Sequence, residues 1–201
     1  PLGMQRTVWE PGDVAPEQLA IGHVVRDGRV VVKSPTQHGA LDAAGGLISN
    51  VEDLARFVAF QLDAWPPRAD EARAPLARTT SREAQRLQAF RSFRARTVPV
   101  ELTEGGVDGG TVGVGWTWGV THGCDHPYTV RHNGSVDGYH AVITMQPHAG
   151  VGVIVLANSG WADTDRVAAE IQRALDRGGA LAPRAPQALP ELSETAARVV
   201  D

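Results

Sequence analysis

Two short stretches of this sequence crowd reactive side-chain types together. In Arg131-His132-Asn133-Gly134-Ser135-Val136-Asp137-Gly138-Tyr139 an imidazole precedes the first of two glycines and a hydroxyl falls between them. Histidine and serine are groups of acyl transfer, which needs a nucleophile, a base and donors aimed at a developing oxyanion. Gly134 and Gly138 would let a ligand or another backbone come close, because a Cβ there would obstruct it. A histidine beside a turn is by itself more often structural than catalytic, and no Gly-x-Ser-x-Gly elbow marks any serine as a nucleophile. The second stretch, His122-Gly123-Cys124-Asp125-His126, could attract zinc through two imidazoles and a thiolate. Its spacing is poor and no Cys-x-x-Cys knuckle exists, so the expectation is a polar loop between strands and no metal. Trp116 and Trp118, at period two, would face one side of a strand and pack in or beside the core.

The elements that must hold these residues can be read from periodicity and turn chemistry. Around Asp27-Gly28, a tight-turn pair, Ala20 to Arg26 and Arg29 to Lys33 read as a short hairpin. The capping-box spacing Ser49-Asn50-Val51-Glu52 precedes Val51, Leu54, Ala55, Val58 and Leu62, and Pro66-Pro67 ends the pattern, which predicts a helix over about 50–64. Thr80-Ser81-Arg82-Glu83 is another such box, predicting a polar helix over about 81–92. Leu102 to Gly110 reads as a turn region and Val112 to Val120 as a strand. Tyr128 to His132, Tyr139 to Met145 and Val151 to Ala157 are β-rich runs, separated by a turn from Asn133-Gly134 to Gly138 and by Pro147 to Gly150. Short connections imply antiparallel neighbours. Val167, Ala168, Ile171, Ala174 and Leu175 mark one face of a helix over about 163–177 that stops at Gly178-Gly179. The expected fold class is α/β in the loose sense (α+β), an antiparallel sheet flanked by helices. The domain is expected to span 1–179, with 180–201 a Pro/Ala-rich tail or linker.

Composition removes further chemistry. The chain has 201 residues, 42% of them hydrophobic and 21% charged, with a formal net charge of −4, which excludes disorder and collagen. Its apolar runs are too short for a membrane-spanning helix. One cysteine, Cys124, excludes an intrachain disulfide and fits a reducing compartment. Lysine occurs only at Lys33 and tyrosine only at Tyr128 and Tyr139. From Arg68 to Arg96 arginines outnumber acids eight to three, which reads as a solvated helix face and loop. No aromatic interleaving accompanies them, so no nucleic-acid partner is expected.

Several motifs occur in an order that carries a resemblance: Pro1-Leu2-Gly3-Met4, Ala44 to Ser49 running into Glu52 to Phe57, Val114-Gly115-Trp116, His132-Asn133-Gly134 with Gly138-Tyr139, and Val153 to Asn158. Over about residues 1–177 the chain resembles serine hydrolases related to class C β-lactamases and D-alanyl-D-alanine carboxypeptidases, and within them the C-terminal portion. The resemblance implies a β-lactamase/transpeptidase-like fold without its first strands and helical lobe. It also implies a small-molecule or peptide substrate and no cofactor. In that family a Ser-x-x-Lys supplies the nucleophile, a Tyr-x-Asn the proton shuttle, and a Lys-Thr-Gly or His-x-Gly triplet lines the cleft. Only the triplet is here: Val30 stands three before Lys33, and Val130 and Ala141 stand two after the tyrosines. The resemblance implies that His132 helps bind substrate and that the Ser135 N–H is one of two oxyanion donors, with Asn133, Gly134, Gly138 and Tyr139 beside the substrate. Both missing motifs precede the Pro-Leu-Gly-Met segment in the family. The chain alone is therefore expected to be inactive, to expose apolar surface and to pair with the N-terminal half. Two other readings are an independent hydrolase built on Ser135 and a histidine, and a non-catalytic binding or regulatory domain that pairs with another chain.

Overall fold

The computed structural model describes residues 1–33, 39, 42–96, 108–115, 117–123 and 128–184. Two strands, β1 (Gly22–Arg26) and β2 (Arg29–Lys33), form the expected hairpin, pairing Gly22 with Lys33 through to Arg26 with Arg29. Asp27 and Gly28 both take positive φ, 49° and 72°, the two-residue turn whose twist matches the strands it joins. A single helical turn, α1 (Asp42–Gly45), precedes α2 (Val51–Leu62). The cap of α2 is Asn50, whose Oδ1 accepts the Asp53 N–H at 3.0 Å, while the Ser49 hydroxyl bonds that of Thr7 at 2.8 Å. Asp53 thus stands at the third helical position, but its carboxylate turns away from the cap toward residues 6 and 7.

The segment after α2 departs from expectation. The second helix, α3 (Arg78–Gln85), starts and ends earlier than its sequence pattern, so Thr80, the cap that pattern implies, lies inside it next to a buried Ser81. It stops because Arg86 N–H takes the Glu83 carbonyl at 3.2 Å and the Gln88 amide takes the same carbonyl at 3.1 Å. Residues read as its last turn belong to β3 (Ala89–Arg96), which pairs with β4 (Asp108–Val114) along most of its length. Strand pairing outweighs the helix propensity of Arg86-Leu87-Gln88-Ala89. The run read as one strand over 112–120 is a corner between β4 and β5 (Gly119–Gly123), closed by Gly115 N–H on the Trp118 carbonyl at 2.7 Å. The period-two argument for the tryptophans therefore does not apply. Trp118 is buried, and Trp116 lies outside the described residues.

Three further strands, β6 (Thr129–Val136), β7 (Tyr139–Gln146) and β8 (Val151–Ala157), complete a six-stranded sheet in sequential order β3 to β8. The sheet is followed by α4 (Thr164–Arg177), capped by Asp163 Oδ1 on the Arg166 N–H at 2.9 Å and ended where Gly179 takes φ +75°. Strand β6 runs four residues past His132, so the β6–β7 turn is only Asp137-Gly138 and Ser135 lies in a strand, not in the turn expected for it.

The chain forms two compact units. One comprises Pro1–Phe60, His132–Thr144 and Gly152–Arg177, and the other Gln61–Arg131, Met145–Val151 and the chain from Gly178. In the first, Val142, Val153 and Ala168 form a core joined by Val155 and Leu175. The inward face of α4 is narrower than its apolar pattern: Val167 and Ile171 are exposed, and Gln172 instead donates to the Thr144 hydroxyl at 2.9 Å. The second unit buries Leu62, Ala64, Trp118, Val120, Val130, Met145 and Leu181.

The arginine-rich stretch belongs to that second unit, and its first four arginines are not a solvated face, whereas Arg86 and Arg91 are exposed as expected. Arg68, Arg73 and Arg78 converge on Asp63, Arg78 at 2.9 Å, and Arg82 donates to Glu71 at 2.7 Å and to the Ala64 carbonyl at 2.7 Å. These guanidinium groups serve as the interior of a loop that has few apolar residues to bury.

Candidate active site

Strand β6 carries the triplet. Residues along a strand alternate between its faces, so His132 and Gly134 lie on one face and Asn133 and Ser135 on the other. The second set is tied down. Asn133 Nδ2 donates to Asp165 Oδ2 in the first turn of α4 at 2.9 Å, and the Ser135 hydroxyl bonds His140 Nε2 at 3.0 Å. Both tethers act from one side of the strand and leave the other side to present an exposed His132 and a glycine. A Cβ added at Gly134 would meet no heavy atom within 4 Å.

Gly138 and Tyr139 have a different surrounding. Gly138 is buried with φ +87°, and a Cβ there would sit 3.0 Å from the His23 nitrogen and 3.1 Å from Gly22, so it is a backbone approach to β1 that this glycine permits. Tyr139 donates its hydroxyl to the Ala20 carbonyl at 2.8 Å and lays its ring over Gly22. The start of β1 is further fixed by His23 N–H on the Asn158 carbonyl at 3.1 Å, Asn158 Nδ2 on the Ile21 carbonyl at 2.9 Å and Gly160 N–H on the His23 carbonyl at 2.7 Å. Gly138 and Tyr139 thus hold the base of the β6–β7 turn, whereas His132 and Gly134 lie farther along β6.

Charged groups near the turn are paired. Lys33 Nζ lies 3.0 Å from Asp137 Oδ2. At the start of α2, burial would raise the Asp53 carboxyl, but the Thr7 hydroxyl, the Arg6 N–H and the Arg56 guanidinium together hold it below its ordinary 3.8. Tyr128, in the other unit, is pushed above its ordinary 10.0 by burial and donates to the Gln85 carbonyl, so its phenol is a structural donor there. His148 packs edge-on to Trp65 and Tyr128, and burial, with His122 nearby, lowers it from 6.5. His122 has its ring 5.9 Å from Tyr128, and Cys124, Asp125 and His126 lie outside the described residues.

The sequence reading missed His140 and Asp165 as partners of the triplet. A two-residue turn at Asp137-Gly138 places Ser135 and His140, five apart, on one face, a signal hidden when the turn is drawn from Asn133 to Gly138.

The family model described as Beta-lactamase matches residues 1–177. The fold is similar to that of an octameric penicillin-binding protein homologue from Pyrococcus abyssi, at TM-score 0.63 and 23% identity over 87% of this chain and 34% of that one. It is also similar to a class C β-lactamase from Rhodobacter sphaeroides, at TM-score 0.58 and 18% identity over 87% of this chain and 51% of that one. A second class C β-lactamase gives TM-score 0.54 and 18% identity over 87% and 48%. This chain therefore spans between about a third and a half of the length of these structures. The search of curated proteins returned no match.

Proposed function

Since the chain belongs to the β-lactamase family, we propose that it supplies one wall of the acylation cleft of a serine hydrolase acting on an ester, amide or peptide. The observation that carries this reading is the asymmetry of β6, whose Asn133 and Ser135 are anchored from one face while His132 and an unobstructed Gly134 occupy the other. On this reading His132 binds substrate and shapes the proton network, and the Ser135 backbone N–H is one of two oxyanion donors. An oxyanion donor must be aimed before charge develops, and a strand held from behind meets that requirement without reorganising. His in place of a triplet lysine provides less fixed positive charge for a substrate carboxylate, which favours esters and peptides over β-lactams.

Neither Ser-x-x-Lys nor Tyr-x-Asn occurs in these 201 residues, so on this reading the acylating serine and its base come from another segment, in the same polypeptide or a partner. Loss of a nucleophile removes the covalent route entirely. The test is to supply a segment carrying both motifs, fused in front of the chain or in trans, and to map fluorophosphonate adducts by mass. The expected label falls on the segment's serine only when this chain is present, and His132→Ala slows it about tenfold or more. Labelling of that serine indifferent to this chain, or to His132→Ala, overturns the reading.

A further inference from the structure

Behind the proposed cleft wall, the face of β6 opposite His132 carries a second arrangement with chemical content. The Ser135 hydroxyl and His140 Nε2 are 3.0 Å apart, within the reach a nucleophile needs to pass its proton to a base. Ser135 is exposed and His140 half-buried, so the pair is accessible yet partly shielded from water. Both residues line a small pocket of about 180 Å³ that also touches Val24, Asp137, Gly138 and Gly160. Its walls are rigid, since Gly138 abuts the backbone of β1 and Gly160 N–H bonds the His23 carbonyl at 2.7 Å. The one carboxylate at its rim, Asp137, is offset by Lys33 at 3.0 Å, which limits its repulsion of a developing oxyanion.

We propose that Ser135 and His140 form a nucleophile–base pair that accepts small activated acyl or phosphonyl groups, independently of the cleft on the other face. With an aryl ester, the Ser135 oxygen attacks the carbonyl carbon as its proton passes to His140 Nε2. The C–O bond to the aryl group then breaks, and the phenolate leaves with the bond electrons and takes up the proton held on Nε2, which returns the imidazole to its neutral form. Water, deprotonated by the same imidazole, later cleaves the acyl-serine and releases the carboxylic acid. With a phosphonyl fluoride, an O–P bond forms, the P–F bond breaks and fluoride departs, leaving a stable adduct. For Nε2 to accept the proton, the imidazole must carry its hydrogen on Nδ1. Among the described residues no carboxylate holds that nitrogen, so the pair lacks the third member of a triad and is restricted to good leaving groups. The pocket volume, below the roughly 300 Å³ at which drug-sized sites begin, is enough to seat a small acyl group.

The test uses the 201-residue protein alone, treated with a small alkyl fluorophosphonate and followed by intact mass and peptide mapping. One equivalent on Ser135 is expected, absent in Ser135→Ala and formed about 100-fold more slowly in His140→Gln. Prior treatment with p-nitrophenyl acetate should protect Ser135, and unfolding in urea should abolish its labelling. These two measurements need no variant to fold. No adduct, an adduct elsewhere, or labelling that survives urea overturns the proposal, as does an unchanged rate in folded His140→Gln. Because the labelled serine belongs to this chain, the outcome is separate from that of the cleft, which is read on the supplied segment.

Discussion

Asp53 and Asp63 are ten residues apart, near the start and just past the end of α2, and the fold uses them in opposite ways. Asp53, with its side chain 2% exposed, accepts the Arg6 N–H at 2.7 Å, the Thr7 hydroxyl at 2.9 Å and one guanidinium, that of Arg56, at 2.7 Å. Asp63, 42% exposed, gathers three guanidinium groups, from Arg68, Arg73 and Arg78. Burial would raise either carboxyl, and hydrogen bonds and cations outweigh it, holding both below 3.8. The partners differ in reach. Asp53 joins residues 46 and 47 positions apart, whereas Asp63 joins residues 5 to 15 positions apart. The first is a pin between distant segments and the second a clamp on one loop. Asp53 is covered by its immediate partners rather than by depth, so its importance lies in the donors it satisfies.

That difference orders the expected effects. Asp53→Ala leaves the Arg6 N–H and Thr7 hydroxyl without their acceptor and should lower the thermal midpoint by several degrees, the largest shift of this set. A midpoint within one degree of the parent would make the pin dispensable. Asp63→Ala should cost about 1–2 kcal/mol by urea unfolding, a value already reduced because water reaches the half-exposed site. Its clearer signature is local: trypsin should cut at Arg68, Arg73 or Arg78 in the variant well before the parent is nicked. Equal digestion of the two proteins would remove the clamp. Both carboxyls are depressed in the folded state, as is Glu71 through its hydrogen bond from Arg82. Their stabilisation is therefore fully present above the ordinary values of 3.8 and 4.5 and is lost as pH falls through the folded ones. Stability below about pH 4 should fall less steeply in Asp53→Asn than in the parent.

Legibility in the sequence followed where burial and turn chemistry agree. The β1–β2 hairpin, α2, β7, β8 and the stop at Gly178-Gly179 were readable because Asp27-Gly28, the Asn50 cap and uninterrupted β-branched runs act locally. β3 was not readable, because Arg-rich Ala89–Arg96 has no alternation to separate it from the end of a helix and is specified by β4. Arg68, Arg73, Arg78 and Arg82 were misread for a related reason: charge in sequence looks solvated, and only the fold shows that Asp63 and Glu71 gather these four. At the site, the residue types of the triplet were legible. Which of them share a face was not, since extending β6 from His132 to Val136 decides it.

A milder substitution sharpens the account of Asp53. Asn50→Ala removes the bond to the Asp53 N–H but leaves the Asp53 carboxylate and its three partners in place. It should cost about 1 kcal/mol, the ordinary value of a helix cap. If it matched Asp53→Ala, the effect of that variant would belong to the start of α2 rather than to the contacts with residues 6 and 7.

Gly134 is the opposite limit from Asp53, a position at which an added side-chain carbon would touch nothing in the described structure. A Cβ there meets no atom within 4 Å, and its φ is not in the positive range, so Gly134→Ala should change stability by less than about 0.5 kcal/mol. Alanine lowers the entropy of the unfolded chain, so the small change should be toward greater stability. The same methyl group, on the face shared with His132, would project into the proposed cleft. With the nucleophile-bearing segment supplied, Gly134→Ala should therefore slow acylation of that segment's serine while leaving the urea midpoint at or slightly above that of the parent. Ser135 labelling on the opposite face should proceed as in the parent. A variant that loses stability would mean that Gly134 is packed against something, and one that acylates at the parental rate would mean that substrate does not approach this face of β6.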